Sequence, residues 1–189
     1  MGVENQPTDL NVDVRITSDN RDDDHLLAAF FASFSIRDDN GDETGVGGMS
    51  GWIVWSGFED VAPAADSLSA DAAHIGRVAH EVMEQLREDD PFLEDILLLD
   101  RIWIEPPWRR RRLVSPMIDR LMGLLRLDVN GCVIVTEPEP QKPQKKGGGP
   151  YADGASRDRA MDGLVRSLRV AGFERWKDER AMWKLADGT

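Results

Sequence analysis

This chain has little cysteine, tyrosine or histidine to do chemistry with. One of its 189 residues is a cysteine, so no internal disulfide can staple the fold. That residue, Cys132, falls in the apolar run Cys132-Val-Ile-Val-Thr136, where a buried strand position is the simplest reading. A nucleophilic role would need a base, and no histidine lies in the neighbouring sequence. The histidines number three. His74 and His80 are six apart on one helical stretch, which does not bring them to one face as helical metal ligands at i, i+4 require, and His25 is isolated. Neither a metal site nor a Ser-His-Asp hydrolase follows from them. Apolar runs of the length that spans a bilayer, about 20 residues, are also missing. The opening Met-Gly-Val-Glu-Asn-Gln has no basic or apolar leader region, and Gln6 stands where a myristoylation motif needs Ser or Thr. A soluble, cytoplasmic protein is expected. Positive charge is in the minority, with 23 Lys and Arg against 35 Asp and Glu, a net −12. Such a balance repels nucleic acid and anionic membranes at long range and suits a cationic substrate such as an amine. Solvated turns, among them Asp22-Asp23-Asp24 and Asp38-Asp39, are the alternative use of that charge.

What is present fits one domain. With 41% hydrophobic residues the chain can bury a real core. Residues 1–10 have a disordered composition, and 11–187 form the expected domain. Val12 to Thr17 alternates like an edge or half-buried strand. Leu26 to Ile36 and Trp52 to Trp55 are apolar segments on either side of Asp38-Asp-Asn-Gly-Asp-Glu43, which predicts two strands around an Asn-Gly turn. Gly45, Gly47, Gly48 and Gly51 precede Trp52 with no helix after them, so they read as flexible or bulged strand backbone. Ala70 to Arg87 is the clearest early helix, with Ala73, Val78 or Arg77, Val82 and Leu86 near one stripe and Asp89-Asp90-Pro91 as its stop. Residues 138–155, rich in Pro, Gly and Lys, read as a loop insertion, either a surface loop or a lid bearing Lys142, Lys145, Lys146 and Tyr151.

The stretch from Ile96 to Leu125 is the most informative. Ile96 to Ile104 is a nearly continuous apolar run ended by Glu105-Pro106-Pro107, which predicts a central strand. Trp108 and four arginines, Arg109 to Arg112, follow, and from Ser115-Pro116 onward Met117, Leu121 and Leu124/Leu125 recur at helical spacing. Strand, cationic loop and helix start make an anion site: the first N–H groups of the helix and its dipole face the loop, and the arginines add formal charge. Inside the strand Asp100 is the notable carboxylate. Simple alternation puts it on the face of Ile102 and Ile104, where burial raises a carboxyl pKa toward that of a general base, or where an ion pair holds it. Glu105 is a second candidate at the Pro-Pro turn.

These residues resemble the GNAT-type N-acetyltransferases, whose signature is a strand, a Pro-containing turn and an Arg/Gln-x-x-Gly-x-Gly/Ala loop that opens a helix. Here the segment is Trp108-Arg-Arg-Arg-Arg-Leu-Val-Ser115. Arg109 matches the first motif position, Arg112 and Val114 occupy the two small-residue positions, and Arg110 stands where a further glycine is usual. The C-terminal part is similar as well. Ser156 is placed to cap a helix carrying Met161, Leu164, Val165, Leu168 and Ala171, Gly172-Phe173 supplies a left-handed stop, and short strands follow at Phe173 to Trp176 and Ala181 to Leu185. The tyrosine that commonly serves that family as general acid is Leu168 here, and Tyr151 lies elsewhere.

The resemblance implies a single α/β (α+β) domain, with a mixed, mostly antiparallel sheet of six or seven strands and helices on both faces. It implies acyl transfer from acetyl-coenzyme A or another acyl-coenzyme A to a primary amine of a small molecule or peptide, with no metal; a homodimer is compatible with it. Asp100 and Glu105 would be the acid-base groups. Trp103, Ile104, Arg109, Arg110, Arg111, Arg112, Leu113, Val114 and Ser115 would line the coenzyme, the amides leading to Ser115 holding its phosphates. The alternative is a catalytically silent GNAT fold used for binding or regulation.

Overall fold

Period-two burial sorts the first third of the chain into strands. In Ala28–Arg37 (β2) Phe30, Ala32 and Phe34 are buried while Phe31 and Ser33 are exposed, the pattern of a strand with one face on a core. It pairs antiparallel with Leu10–Thr17 (β1) and with Glu43–Val54 (β3). The turn between β2 and β3 is closed by the Asp38 side chain, which accepts from the Asn40 and Asp42 amides at 2.9 Å each, with Gly41 at φ +87°. The second strand of this hairpin is longer than Trp52 to Trp55, because the glycine cluster is itself paired strand. A computed structural model describes residues 10–17, 27–55, 58–127, 131–141 and 151–186. Asp22 to Asp24, His25, Lys142, Lys145, Lys146 and nearly all of segment 1–10 lie outside these.

The remaining elements are Val61–Asp66 (α1), Ala70–Leu86 (α2), Asp95–Ile104 (β4), Val114–Leu125 (α3), Cys132–Thr136 (β5), Ala155–Val170 (α4), Glu174–Arg175 (β6) and Met182–Ala186 (β7). They build an open seven-stranded sheet in the order β1-β2-β3-β4-β5-β7-β6, in which only β4 and β5 run parallel. Among the described residues the fold is mixed α/β, with four α-helices and a mostly antiparallel sheet. Helices cover both faces. Leu97, Leu99, Ile102 and Ile134 join α3 and Leu168 of α4 in one core, and Ile96, Leu98, Val133 and Val135 join α1 and α2 in the other.

Two helices start differently from their sequence signals. Helix α3 begins at Val114, one position before Ser115, because Leu113 and Val114 are drawn into the core and the apolar stripe starts with them. Helix α4 is capped by Gly154 at φ +118°, so Ser156 falls inside the first turn and caps nothing. Its C-terminus agrees with expectation: Gly172 is at φ +90° and the Phe173 N–H donates to the Leu168 carbonyl at 3.0 Å. Helix α2 is capped by Ser69, whose hydroxyl accepts from the Ala72 amide. Its buried stripe runs through Ala72, Ile75, Val78, Ala79, Val82 and Met83, so Val78 and Val82 are buried as expected, while Ala73 is half-buried and Arg77 exposed. Gly76 is buried too, since α1 passes so close that a Cβ there would lie 2.4 Å from that of Ala65.

Candidate functional site

The parallel pair is what opens a site. Strand β5 pairs with β4 only from Asp95 to Leu99, whereas β4 continues to Ile104 bonded to β3 alone. Beyond Leu99 the edge of β4 that faces β5 has no strand partner among the described residues. The two carboxyl ends bound a crevice, the usual place for ligands in sheets with parallel strands. A cleft of about 260 Å³ lies there, lined by Leu99, Asp100 and Arg101 of β4, Glu137 and Glu139 after β5, and Asp71 and Ile75 of α2.

Asp100 stands in this cleft at a β-bulge. The register of β3 against β4 slips between Ser50 and Gly51, which pair with Arg101 and Leu99, so Asp100 is the extra residue. The alternation that starts at Ile96 therefore breaks: Ile96 and Leu98 face α2, Ile102 faces α3, and Asp100 turns to the α2 side with Leu98. The expected placement of Asp100 beside Ile102 and Ile104 is thus corrected, since alternation fails at a bulge. Gly51 permits the close approach, for a Cβ there would sit 1.8 Å from the Leu98 carbonyl oxygen. Burial pushes the Asp100 carboxyl above the usual carboxylate range; Arg101 opposes this and Asp71 adds to it. Its ion-pair partner is Arg101 at 3.2 Å, on the same strand, and not the arginine loop.

At the top of β4 the Glu105 amide donates to Val46 of β3 at 2.8 Å, which by alternation turns the groups of Ile104 toward the open edge. There the Ile104 carbonyl accepts from Nε of Arg109 at 2.9 Å, and by the same alternation the Ile104 N–H is on the edge away from β3. Glu105 itself is half-buried and its carbonyl accepts from the Trp108 amide. The chain then enters the arginine loop. Arg110 and Arg112 have φ of +65° and +55°, a left-handed conformation that favours glycine, and Leu113 returns to φ −77°, ψ −14°. Neighbouring residues of opposite hand turn their N–H groups to one side, a concavity of anion size, and among the described residues no side chain caps α3 behind it. Arg111 stacks on Trp108 at 4.7 Å, while Arg110 and Arg112 are exposed. Leu113 and Val114 have buried side chains, so only their backbone can face a ligand, and the Ser115 hydroxyl is 3.5 Å from Asp119.

Trp103 is elsewhere. Its indole lies over Gly48 of β3, where a Cβ would come within 2.1 Å of the ring, and it contacts Phe31 of β2 at 5.5 Å between centroids. It packs on the sheet, turned away from β5. No family model, curated protein or solved structure matches the chain.

The sequence did not point to His74. On α2, one turn after Asp71, its Nδ1 lies 2.5 Å from Oε2 of Glu137 and its Nε2 2.7 Å from Oε2 of Glu179, in the turn between β6 and β7. Burial works against a charge on this ring, yet the hydrogen bonds to Glu179 and Glu137 outweigh it and its pKa is raised. The partners are 63 and 105 residues away, so no local spacing could have revealed them. Arg77 joins Glu179 to Glu81, and Glu81 also accepts from Lys177 and from the Trp176 indole N–H. Among the described residues no group of three or more His, Cys, Asp or Glu is arranged to hold a metal ion. Cys132 is fully buried and its thiol is pushed up by burial.

Proposed function

We propose that this chain is an acyl-coenzyme A-dependent N-acyltransferase of GNAT-like architecture, acting on a primary amine. The observation that carries the reading is the left-handed backbone at Arg110 and Arg112, the positions where the family signature has glycine. The loop keeps the shape that presents amides to phosphate although the residues have changed, and their guanidinium groups, exposed at its rim, add charge for a pyrophosphate. Loop, α3 N-terminus and cleft all lie at the carboxyl ends of β4 and β5, which puts an anion grip beside an acidic pocket. The pocket is small by the standard of ligand sites, roughly 300–1,000 Å³, so it suits the reacting end of an acyl group and an amine, with the nucleotide outside along the loop.

Bound acyl-coenzyme A supplies an activated thioester. Within the cleft the carboxylates of Asp71 and Asp100 attract an ammonium group. The bound ammonium first gives one proton to water, and Asp100, with its raised pKa, takes a second proton from the resulting neutral amine as its nitrogen bonds to the acyl carbon. The Ile104 N–H donates to the acyl oxygen, on which negative charge develops. The thiolate of coenzyme A departs and the amide is the product.

One observation favours a second reading. Leu168, at the position of the family's usual proton donor, is 0% exposed in the core under α3, so no acid works from there. A silent GNAT fold that binds without turnover is the alternative. Thermal melting with acetyl-, propionyl- and longer acyl-coenzyme A tests both. At a hundred times Kd a ligand specific for the folded state adds about 2.7 kcal/mol, which in a domain of this size raises Tm by roughly 5–10 °C. A shift with turnover of an amine panel supports the transferase, a shift without turnover supports the silent module, and no shift at millimolar concentration sinks the transferase.

A further inference from the structure

We propose that His74 is a positioning residue for the cleft: as an imidazolium it clasps Glu137 to the cleft wall and neutralises it, so the cleft gains a free negative charge when His74 loses its proton. The importance of that charge for an amine acceptor rests on the function proposed above; the clasp itself does not.

The argument is one of donors and acceptors. Ionised carboxylates only accept, and each ring nitrogen of His74 faces a carboxylate oxygen at 2.7 Å or less. A neutral imidazole has one N–H, so it would turn a lone pair toward one of the two carboxylates. Only the doubly protonated ring satisfies both. Glu179 is kept ionised by Arg77, which donates to the same oxygen at 2.6 Å, and its pKa is lowered chiefly by Arg77 and next by His74. The proton between His74 and Glu179 therefore stays on the imidazole.

The clasp joins three elements. His74 is on α2, Glu137 directly follows β5, and Glu179 is in the turn before β7. The charged groups around it are Asp71, Arg77 and Glu81 on α2, Lys177 and Glu179 in the β6–β7 turn, Glu137 and Glu139 after β5, and Asp100 and Arg101 of β4 across the cleft. Glu81 is held by Arg77 and Lys177, and Glu139 by Arg157 of α4. Glu137 depends on His74, and it is Glu137 that lines the cleft opposite Asp100. Below the pKa of His74 the cleft thus has a fixed, neutralised wall; above it, the charge of Glu137 opposite Asp100 is uncompensated.

Long-range 1H–15N spectra of the full chain, with His74 assigned by the resonances lost in His74→Gln, test this without any acyl donor. Both His74 nitrogens should be protonated in most molecules at pH 6.5, with a midpoint above that of a free imidazole. Glu137→Gln and Glu179→Gln should each move that midpoint down, and the Glu137 carboxyl 13C shift should follow the His74 midpoint in the native chain. Should a variant fail to fold, the native titration still decides. A His74 midpoint at or below that of a free imidazole, or a Glu137 carboxyl that ignores the His74 titration, overturns the clasp. Failure of acyl-coenzyme A to bind would refute the proposed function and leave these outcomes untouched.

Discussion

Replacing Arg110 and Arg112 together by glycine separates the two parts of the proposed phosphate grip. Both residues occupy left-handed backbone at φ +65° and +55°, which costs an L-residue roughly 1–2 kcal/mol. Glycine removes that strain but loses about 0.5–1 kcal/mol more chain entropy on folding. The net gain is about 0.5–1 kcal/mol for each position and ~1–2 kcal/mol for the pair, provided the two loop sites act independently. The side chains are exposed and hold no core contact that would offset this. For a chain of this length each kcal/mol moves Tm by roughly 2–4 °C, so the double variant should melt some degrees higher by differential scanning fluorimetry. Binding should move the opposite way. Because the backbone already has its glycine shape, the change removes two cations without improving the amides, and exposed charge contacts of about 0.5–1 kcal/mol each predict roughly tenfold weaker acyl-coenzyme A binding, with a shallower dependence on salt. A variant that melts lower refutes the account of the loop backbone, and one that binds more tightly shows that the arginines obstruct the phosphates instead of holding them.

Three further outcomes are expected. Asp100→Asn, nearly isosteric, should lower turnover severely while leaving the acyl-coenzyme A melting shift unchanged; a comparable loss in both would make Asp100 a structural residue. Gly51→Ala should cost more than about 2 kcal/mol by urea denaturation, in the range of severe overpacking, because its Cβ would meet the Leu98 carbonyl at 1.8 Å and the bulge that aims Asp100 would have to open; a neutral result would mean that the bulge relaxes freely. Asp95 has its carboxyl raised to about 6 by burial and then by Glu94. The folded chain then binds more protons than the unfolded one between about 4 and 6, so this group's contribution to stability falls as pH rises through that window and stays low above it. Asp95→Asn should flatten that segment of the stability profile, and an unchanged slope would remove Asp95 from the account.

Much of the fold is legible in the amino-acid order. The apolar run from Ile96, the Asn-Gly hairpin, the α2 helix with its Pro91 stop and the Gly172-Phe173 ending each depend on contacts a few residues apart, and each stands in the structure within a residue or a few of its signal. The arginine loop is legible as a cationic strand-to-helix turn for the same reason. What periodicity cannot carry is any feature made by two segments distant in sequence. The bulge exists because β3 and β4 differ in count by one residue across their pairing, so only the pairing could part Asp100, which keeps the α2 side of Leu98, from Ile102, which is sent to the α3 side. Trp103 reads in sequence as a strand-end residue near the coenzyme, and it is β3 that places Gly48 under its ring. His74 reads in sequence as half of a poor i, i+6 pair, since its real partners arrive from β5 and the β6–β7 turn. Local order thus set which segments are strand and helix and where the positive charge lies, because those follow from backbone preference and burial along a single element. The cleft, the side of the sheet on which its carboxylate works and the histidine that holds its wall were decided by tertiary structure, because hydrogen-bond register and charge pairing are properties of two elements at once.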